Sequence, residues 1–320
     1  MRRREFVRVL GTGIGAALLP PYRPTASSLR SGQALPLADH FIERWSWAMG
    51  QPVHLQLFAE SEAHGYDAAA AALGELRRVE ARLSLFDDTS DLSELNRQAG
   101  GRALRVGADL AFVLEAGLRI ERTTTGAFNP AVEPLMRTWG FHALRTSEPT
   151  AAEIRQARAA VKAARISLDG DRVFLPNTDT LLDLGGIGVG YGLDRAMAVL
   201  KRAGIRRAFL DVSGDCLALG APPGAEQGWV VDIARPGNRG GKLASTRLRD
   251  AALATSANTM SVVRYGRAVR GHVMNPDTGW PADVLTQVTV VSRTGIEADA
   301  LSTAMLVSGK PARGWRSTTK

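Results

Sequence analysis

From Gly271 to Ala304 the chain reads GHVMNPDTGWPADVLTQVTVVSRTGIEADALSTA, and this order of residues restricts the fold more than any other stretch. Asn275-Pro276-Asp277-Thr278-Gly279 is a turn, because proline presets φ and glycine accepts a positive one. The β-branched run after it is a buried strand, and the residues around Asp299 are a helix. A loop carrying His272 therefore feeds a strand, and the strand feeds a helix on which Asp299 and Thr303, four apart, share a face. A carboxylate beside a hydroxyl is hard-oxygen ligation suited to Mg²⁺, a cation that takes its remaining oxygens from water and substrate phosphates. His272, whose unperturbed pKa lies near neutrality, is the candidate general base.

A second constrained stretch is Leu182–Asp194 (LDLGGIGVGYGLD). A strand end entering a glycine turn and then a helix exposes backbone N–H groups to phosphate. The spacing fits neither G-x-G-x-x-G nor the lysine-bearing P-loop. Around these segments, Val53–Phe58 alternates as a strand and Tyr66–Leu83 has helical spacing. Asp109–Arg122 is a second helix with Asp109 as its N-cap, and Ala151–Ala164 a third. Strands are expected at Arg172–Leu175, Thr180–Leu184 and Ala208–Val212, with a helix over Val189–Ala203 between the last two. Short strands fill Trp229–Val291, and Asp299–Val307 is the closing helix. Helices and strands alternate without a βαβ beat, so the fold class is α+β, a single domain of mixed or antiparallel sheets with packed helices.

The formal charge of +8 invites a nucleic-acid reading until it is located. Six arginines and one glutamate lie in residues 1–30, four basic residues and no acid in 310–320, and the body between is slightly acidic. No basic stripe remains to follow a phosphate backbone, so no nucleic-acid partner is expected. Arg3-Arg4-Glu5-Phe6-Val7-Arg8 has the twin-arginine form, and Val9–Leu19 is an apolar stretch too short to span a bilayer. Residues 1–30 read as an export signal and linker, 31–309 as the functional domain, and 310–320 as a basic polar tail. The expected location is periplasmic or extracytoplasmic, with no transmembrane span. Gly11–Ala16 fits a dinucleotide fingerprint only formally, since no strand precedes it. The single cysteine, Cys216, excludes an intramolecular disulfide. Ser256 could serve as a nucleophile beside His272 only if the fold brought them together.

Taken in order, these segments resemble the ApbE-type family of FAD:protein FMN transferases. The resemblance rests on Leu83-Ser84-Leu85-Phe86 with Ser93-Glu94-Leu95-Asn96, on Gly126-Ala127-Phe128-Asn129-Pro130 with Trp139-Gly140-Phe141, and on Asp183 through Asp194. It continues through Asp211-Val212-Ser213-Gly214-Asp215, Thr255-Ser256, His272 through Gly279, and Ala298 through Ala304, covering about residues 45–309. It implies a T-fold-like α+β enzyme that takes FAD as substrate with Mg²⁺ and transfers FMN to a threonine hydroxyl of an acceptor flavoprotein subunit, releasing AMP. By the resemblance, Asp299 and Thr303 are metal ligands, with Gly186 supplying a backbone carbonyl. Met49, Phe86, Ala127, Phe128, Asn129, Asp183, Val189 and Val273 fall at FAD-binding positions, and His272 at that of the base. The chain departs from the pattern at Val189, where a charged residue is usual, and at Phe86, Asn129, Asn275 and Ala257. The alternative these departures raise is a relative that binds or hydrolyses FAD with little or no protein transfer.

Overall fold

The computed structural model describes residues 40–236 and 241–311; the expected signal and linker, the first residues of the expected domain (31–39) and nearly all of the basic tail lie outside the described residues. Thirteen strands and seven helices are described. The central sheet has six strands in the order β1-β2-β6-β7-β10-β13, and each adjacent pair is antiparallel. These are β1 (His40–Ala48), β2 (Gln51–Ala59), β6 (Arg207–Val212), β7 (Asp215–Leu219), β10 (Ala251–Ala257) and β13 (Gln287–Ser292). Strand β2 explains the layering, because side chains alternate between faces along a strand. Val53, Leu55 and Leu57 enter the main core, whereas Phe58 joins Phe209, Cys216, Trp229 and Leu253 in a second cluster. The hairpin β8 (Trp229–Ala234) and β9 (Lys242–Leu248) supplies Trp229, Val231 and Leu248 to that second cluster.

Three helices fill the main-core layer: α1 (Glu62–Leu83), α6 (Gly188–Arg202) and α7 (Gly295–Ser308). Helix α1 buries Ala69, Ala72, Leu76, Val79 and Leu83 along one stripe, and Ser61 caps it by accepting from the His64 N–H. Helix α7 has almost no polar face within its buried length, as expected of a helix packed between α6 and the sheet.

Helices α2 (Asp91–Arg97) and α3 (Ala108–Thr123) also bury Leu92, Leu95, Leu110, Val113, Leu114 and Ile120 in the main core, as does β5 (Arg172–Phe174) with Val173, the middle strand of a three-stranded sheet with β3 (Leu104–Arg105) and β4 (Ser167–Asp169). Helices α4 (Glu133–Thr138) and α5 (Ala151–Ala163) pack apart from that core. The hairpin β11 (Val262–Tyr265) and β12 (Ala268–Gly271) leads into the His272 loop. Leu135, Met136, Trp139, Ile154, Ala157, Val161 and Met274 form a separate apolar cluster between α4, α5 and the His272 loop. Trp139 Nε1 donates to the Gly279 carbonyl at 2.8 Å, and Tyr265 donates its hydroxyl to the Trp139 carbonyl at 2.6 Å. These bonds fasten the His272 loop to α4.

Two local expectations change. Residues 180–184 form no strand: Asn96 brackets Leu182 by accepting its N–H at 2.8 Å and donating to its carbonyl at 2.9 Å. The Asp183 N–H donates to the Pro130 carbonyl at 2.9 Å, so this segment's polar backbone is satisfied without a ladder partner. Asp109 is not the N-cap of α3, which is Gly107. Its carboxylate binds Arg78 and accepts from the Tyr191 hydroxyl, tying α1, α3 and α6 together. No described helix is long and apolar enough to cross a membrane.

Candidate active site

The firmest part of the site is where α6 crosses α7. A Cβ on Gly190 would stand 2.2 Å from the Gly295 carbonyl oxygen, and one on Gly295 would stand 2.3 Å from that of Gly190. Only glycine allows backbones this close. The approach puts Asp299 against the first turn of α6, where its Oδ2 accepts the Gly190 N–H at 2.9 Å. Asp194, one turn further along α6, caps α7 by accepting from Gly295 N at 2.7 Å and Ile296 N at 3.0 Å. One helix thus fixes the register of the other.

Thr303 lies one turn beyond Asp299. A Cβ on Gly186 would approach Thr303 Oγ1 to 3.0 Å, so the glycine turn closes directly over the threonine hydroxyl. The Ser256 hydroxyl is 3.1 Å from Thr303 Oγ1 and 2.7 Å from Ser302 Oγ, and Ser302 donates to the Asp299 carbonyl. Burial raises the Asp299 pKa, to about 7, with the Gly190 N–H opposing the shift and the Asp194 charge adding to it. Asp215, half-buried on β7, is held well above its ordinary pKa by desolvation together with the Asp299 charge. Neither acid has an ion-pair partner among the described residues. Hydroxyl, carboxylate and backbone oxygens collected around uncompensated buried acid fit a small, hard divalent cation such as Mg²⁺. Asp299, Thr303 and Gly186 are the residues that could hold it.

The second part of the site surrounds Asp183, at the start of the glycine turn. Its Oδ1 accepts the Gly185 N–H at 2.7 Å, and burial is the leading reason for its raised pKa, opposed by the nearby His142 charge. His272 interacts electrostatically with Asp183 and His142. Its Nδ1 is buried with no hydrogen-bond partner, and its ring lies 6.4 Å from that of Phe141 in an edge contact. Burial lowers the His272 pKa, so the ring is neutral near pH 7 and can accept a proton. Phe86 is exposed at the rim, its ring edge-on to His142 at 5.1 Å.

The other expected positions divide by what their side chains do. Met49 turns between β1 and β2 at φ +56°, and its thioether would lie 3.6 Å from a Cβ on Gly192. Phe128 is buried between Gly117 and Gly186 and shapes the turn. Ala127 is half-buried against the core beside Val273. Asn129 uses Oδ1 to accept the Ala131 N–H at 2.8 Å. Val189 is buried in the main core, and Val273 is buried with its backbone N–H donated to Asn258 Oδ1 at 3.0 Å. Ser256, engaged with Ser302 and Thr303, makes no hydrogen bond to His272, so the Ser256–His272 nucleophile pair does not form. Sequence reasoning missed Glu133 and His142. The signal was a single glutamate inside the apolar run Ala131-Val132-Glu133-Pro134-Leu135-Met136, which the fold buries completely.

The family model for ApbE matches residues 49–318. The chain belongs to the ApbE family. A FAD:protein FMN transferase of Klebsiella pneumoniae is 26% identical over 82% of this chain and 80% of its own length. One from Rhodobacter capsulatus is 30% identical over 82% of this chain, which spans about half (51%) of that relative. Among solved structures, the ApbE protein of Thermotoga maritima superposes with a TM-score of 0.77 at 27% identity, covering 84% of this chain and 87% of that one. The α+β class, with its antiparallel sheets, is therefore shared with the ApbE structures.

Proposed function

We propose that this chain is a FAD:protein FMN transferase that uses Mg²⁺ to transfer FMN from FAD to a threonine hydroxyl of an acceptor protein, releasing AMP. The observation that carries the reading is the α6–α7 crossing, where the buried Asp299 carboxylate has no ion-pair partner among the described residues and Gly186 closes over the Thr303 hydroxyl beside the glycine turn. The names of its ApbE relatives support the flavin substrate and the protein acceptor. Bound Mg²⁺ would neutralise phosphate charge and stabilise the departing AMP.

The chain's residues supply the rest. The glycine turn lets the nucleotide approach the backbone, and Phe86 offers an exposed ring for stacking at the rim. His272, neutral and with Nδ1 free of other partners, takes the proton from the acceptor hydroxyl. The hydroxyl oxygen then forms a bond to the FMN phosphorus as the bond to AMP breaks. Twin-arginine export of the folded protein to the periplasm completes the proposal.

Incubation of the purified protein with FAD, Mg²⁺ and a threonine-bearing acceptor peptide tests the reading by peptide mass. A gain of FMN supports transfer. AMP release without peptide modification would replace it with an FAD-hydrolysing function, and bound FAD without products with an FAD-binding one. Protease access in spheroplasts tests export, and full protection would overturn it.

A further inference from the structure

Glu133 is a wholly buried carboxylate with both oxygens assigned. Oε1 accepts from Arg137 Nε at 2.7 Å, and Oε2 meets His142 Nδ1 at 2.5 Å. Asp183 completes a group whose ligand-type atoms lie within 4.8 Å of one another. A metal is one explanation of such a group, but the 2.5 Å contact disfavours it. Two ligands on one tetrahedral zinc stand roughly 3.3 Å apart, and Glu133 is already balanced by Arg137. The contact is a charge-assisted hydrogen bond that fixes the ring's orientation. It consumes Nδ1, leaving Nε2 with no hydrogen-bond partner among the described residues. Phe86 touches the ring edge-on from the exposed rim, and Asp183 stands close by.

We propose that His142, oriented through Nδ1 by Glu133, presents its Nε2–H to the flavin nucleotide and binds one of its oxygens, making it a substrate-binding residue of this site. The inference rests on the flavin-transferase reading and adds to it a contact carried by this chain's own glutamate and histidine. The charged groups facing the ring are Glu133 and Arg137 on α4, Asp183 at the glycine turn and His272 in its loop. Burial alone would strip the ring of its proton. The Glu133 bond, aided by the Asp183 and Glu133 charges, outweighs burial and holds the pKa above the ordinary imidazole value. The two histidines therefore differ: His142 keeps a proton to donate, and His272 is free to accept one.

FAD, FMN and riboflavin binding to the full protein, followed by flavin fluorescence across pH 5.5–9, tests this. His142→Ala should weaken FAD binding at pH 6.5 about tenfold or more, the loss expected for one charge-assisted hydrogen bond. His142→Gln, which keeps an N–H donor, should recover part of it. The defect should raise KM for FAD more than it lowers kcat. Wild-type affinity should fall as pH rises and His142 loses its proton, and Glu133→Gln should move that fall to lower pH. If Glu133→Gln does not fold, the His142→Gln rescue and the wild-type pH profile decide. A loss shared by riboflavin places the contact on a ring carbonyl; a loss confined to FMN and FAD places it on a phosphate. Unchanged FAD affinity in His142→Ala would overturn the inference while leaving the transferase reading intact. A wild-type protein that binds none of the three flavins would overturn both. Stoichiometric bound metal that disappears in His142→Ala would overturn the inference in favour of a metal site.

Discussion

The two halves of the site are built in opposite ways. At the α6–α7 crossing, the backbone is one partner in every contact: Gly190 against Gly295, Gly186 against the Thr303 hydroxyl, and two N–H groups of α7 on the Asp194 carboxylate. Around Asp183, side chains do the positioning, with Glu133 aiming His142 and Trp139 tethering the loop that carries His272. A cation with fixed oxygen ligands needs the first kind of construction. Proton transfer from a substrate that comes and goes needs the second, in which one ring nitrogen stays unpartnered. Close backbone packing is concentrated around the buried Asp299 carboxylate, and unspent hydrogen-bonding capacity at the His272 ring.

The largest effect expected is from Asp299→Asn, which keeps the shape and removes the charge. Transfer should fall by about a thousandfold or more, as when a catalytic metal's ligand is lost, and Mg²⁺ titration by calorimetry should show the lost affinity. Retained Mg²⁺-dependent turnover would break the division between the halves. Gly190→Ala should come next, since the new methyl has nowhere to go. About 3 kcal/mol of stability should disappear in urea unfolding, the upper range for overpacking a tight contact.

His272→Ala should lower transfer about a hundredfold, the usual scale for a general base, while Mg²⁺ affinity stays at the wild-type value. Because burial depresses the His272 pKa, the acid limb of the activity profile should lie below pH 6.5, and activity should fall only as pH drops through that lowered value. Asn96→Ala should cost about 2 kcal/mol by leaving the Leu182 backbone groups unpaired, with FAD binding reduced alongside. The smallest effect is expected at the capping box of α5, where Glu153 accepts from Arg145 and Thr150 and has its pKa lowered to about 2. Its contribution is present above the unfolded carboxylate pKa and is lost as pH falls towards 2. Glu153→Gln should therefore lower Tm slightly at pH 6, a difference that fades in thermal scans at pH 2.

How far the sequence could be read follows from the same contrast. The crossing was legible because helix spacing places Asp299 and Thr303 on one face, and because a dense glycine run announces close backbone contact. Helix α7 begins a turn earlier than expected because its cap, Asp194, lies on another helix 101 residues away. Thr180–Leu184 resembles a strand through its apolar residues, but only the fold reveals that Asn96 satisfies its backbone. Strand β1 went unread because exposed Trp45 and Trp47 obscure its alternation. Short α2 and α4 have too few turns to show a period, and with α4 the Glu133–His142 pair stayed hidden. The resemblance puts Val189 at a nucleotide-binding position, and the structure adds that its side chain is buried in the main core. Position along the chain and direction of the side chain are separate facts, and only the second is set by packing.

The Asp194 cap also carries a consequence for the order of synthesis. Asp299 and Thr303 belong to the closing helix, and that helix is registered by a carboxylate made a hundred residues earlier. The Asp299–Thr303 face cannot be positioned on a nascent chain: it is set against α6 only when residues 295–308 have left the ribosome and docked. The proposed site is therefore completed after every described strand of the central sheet has already been made.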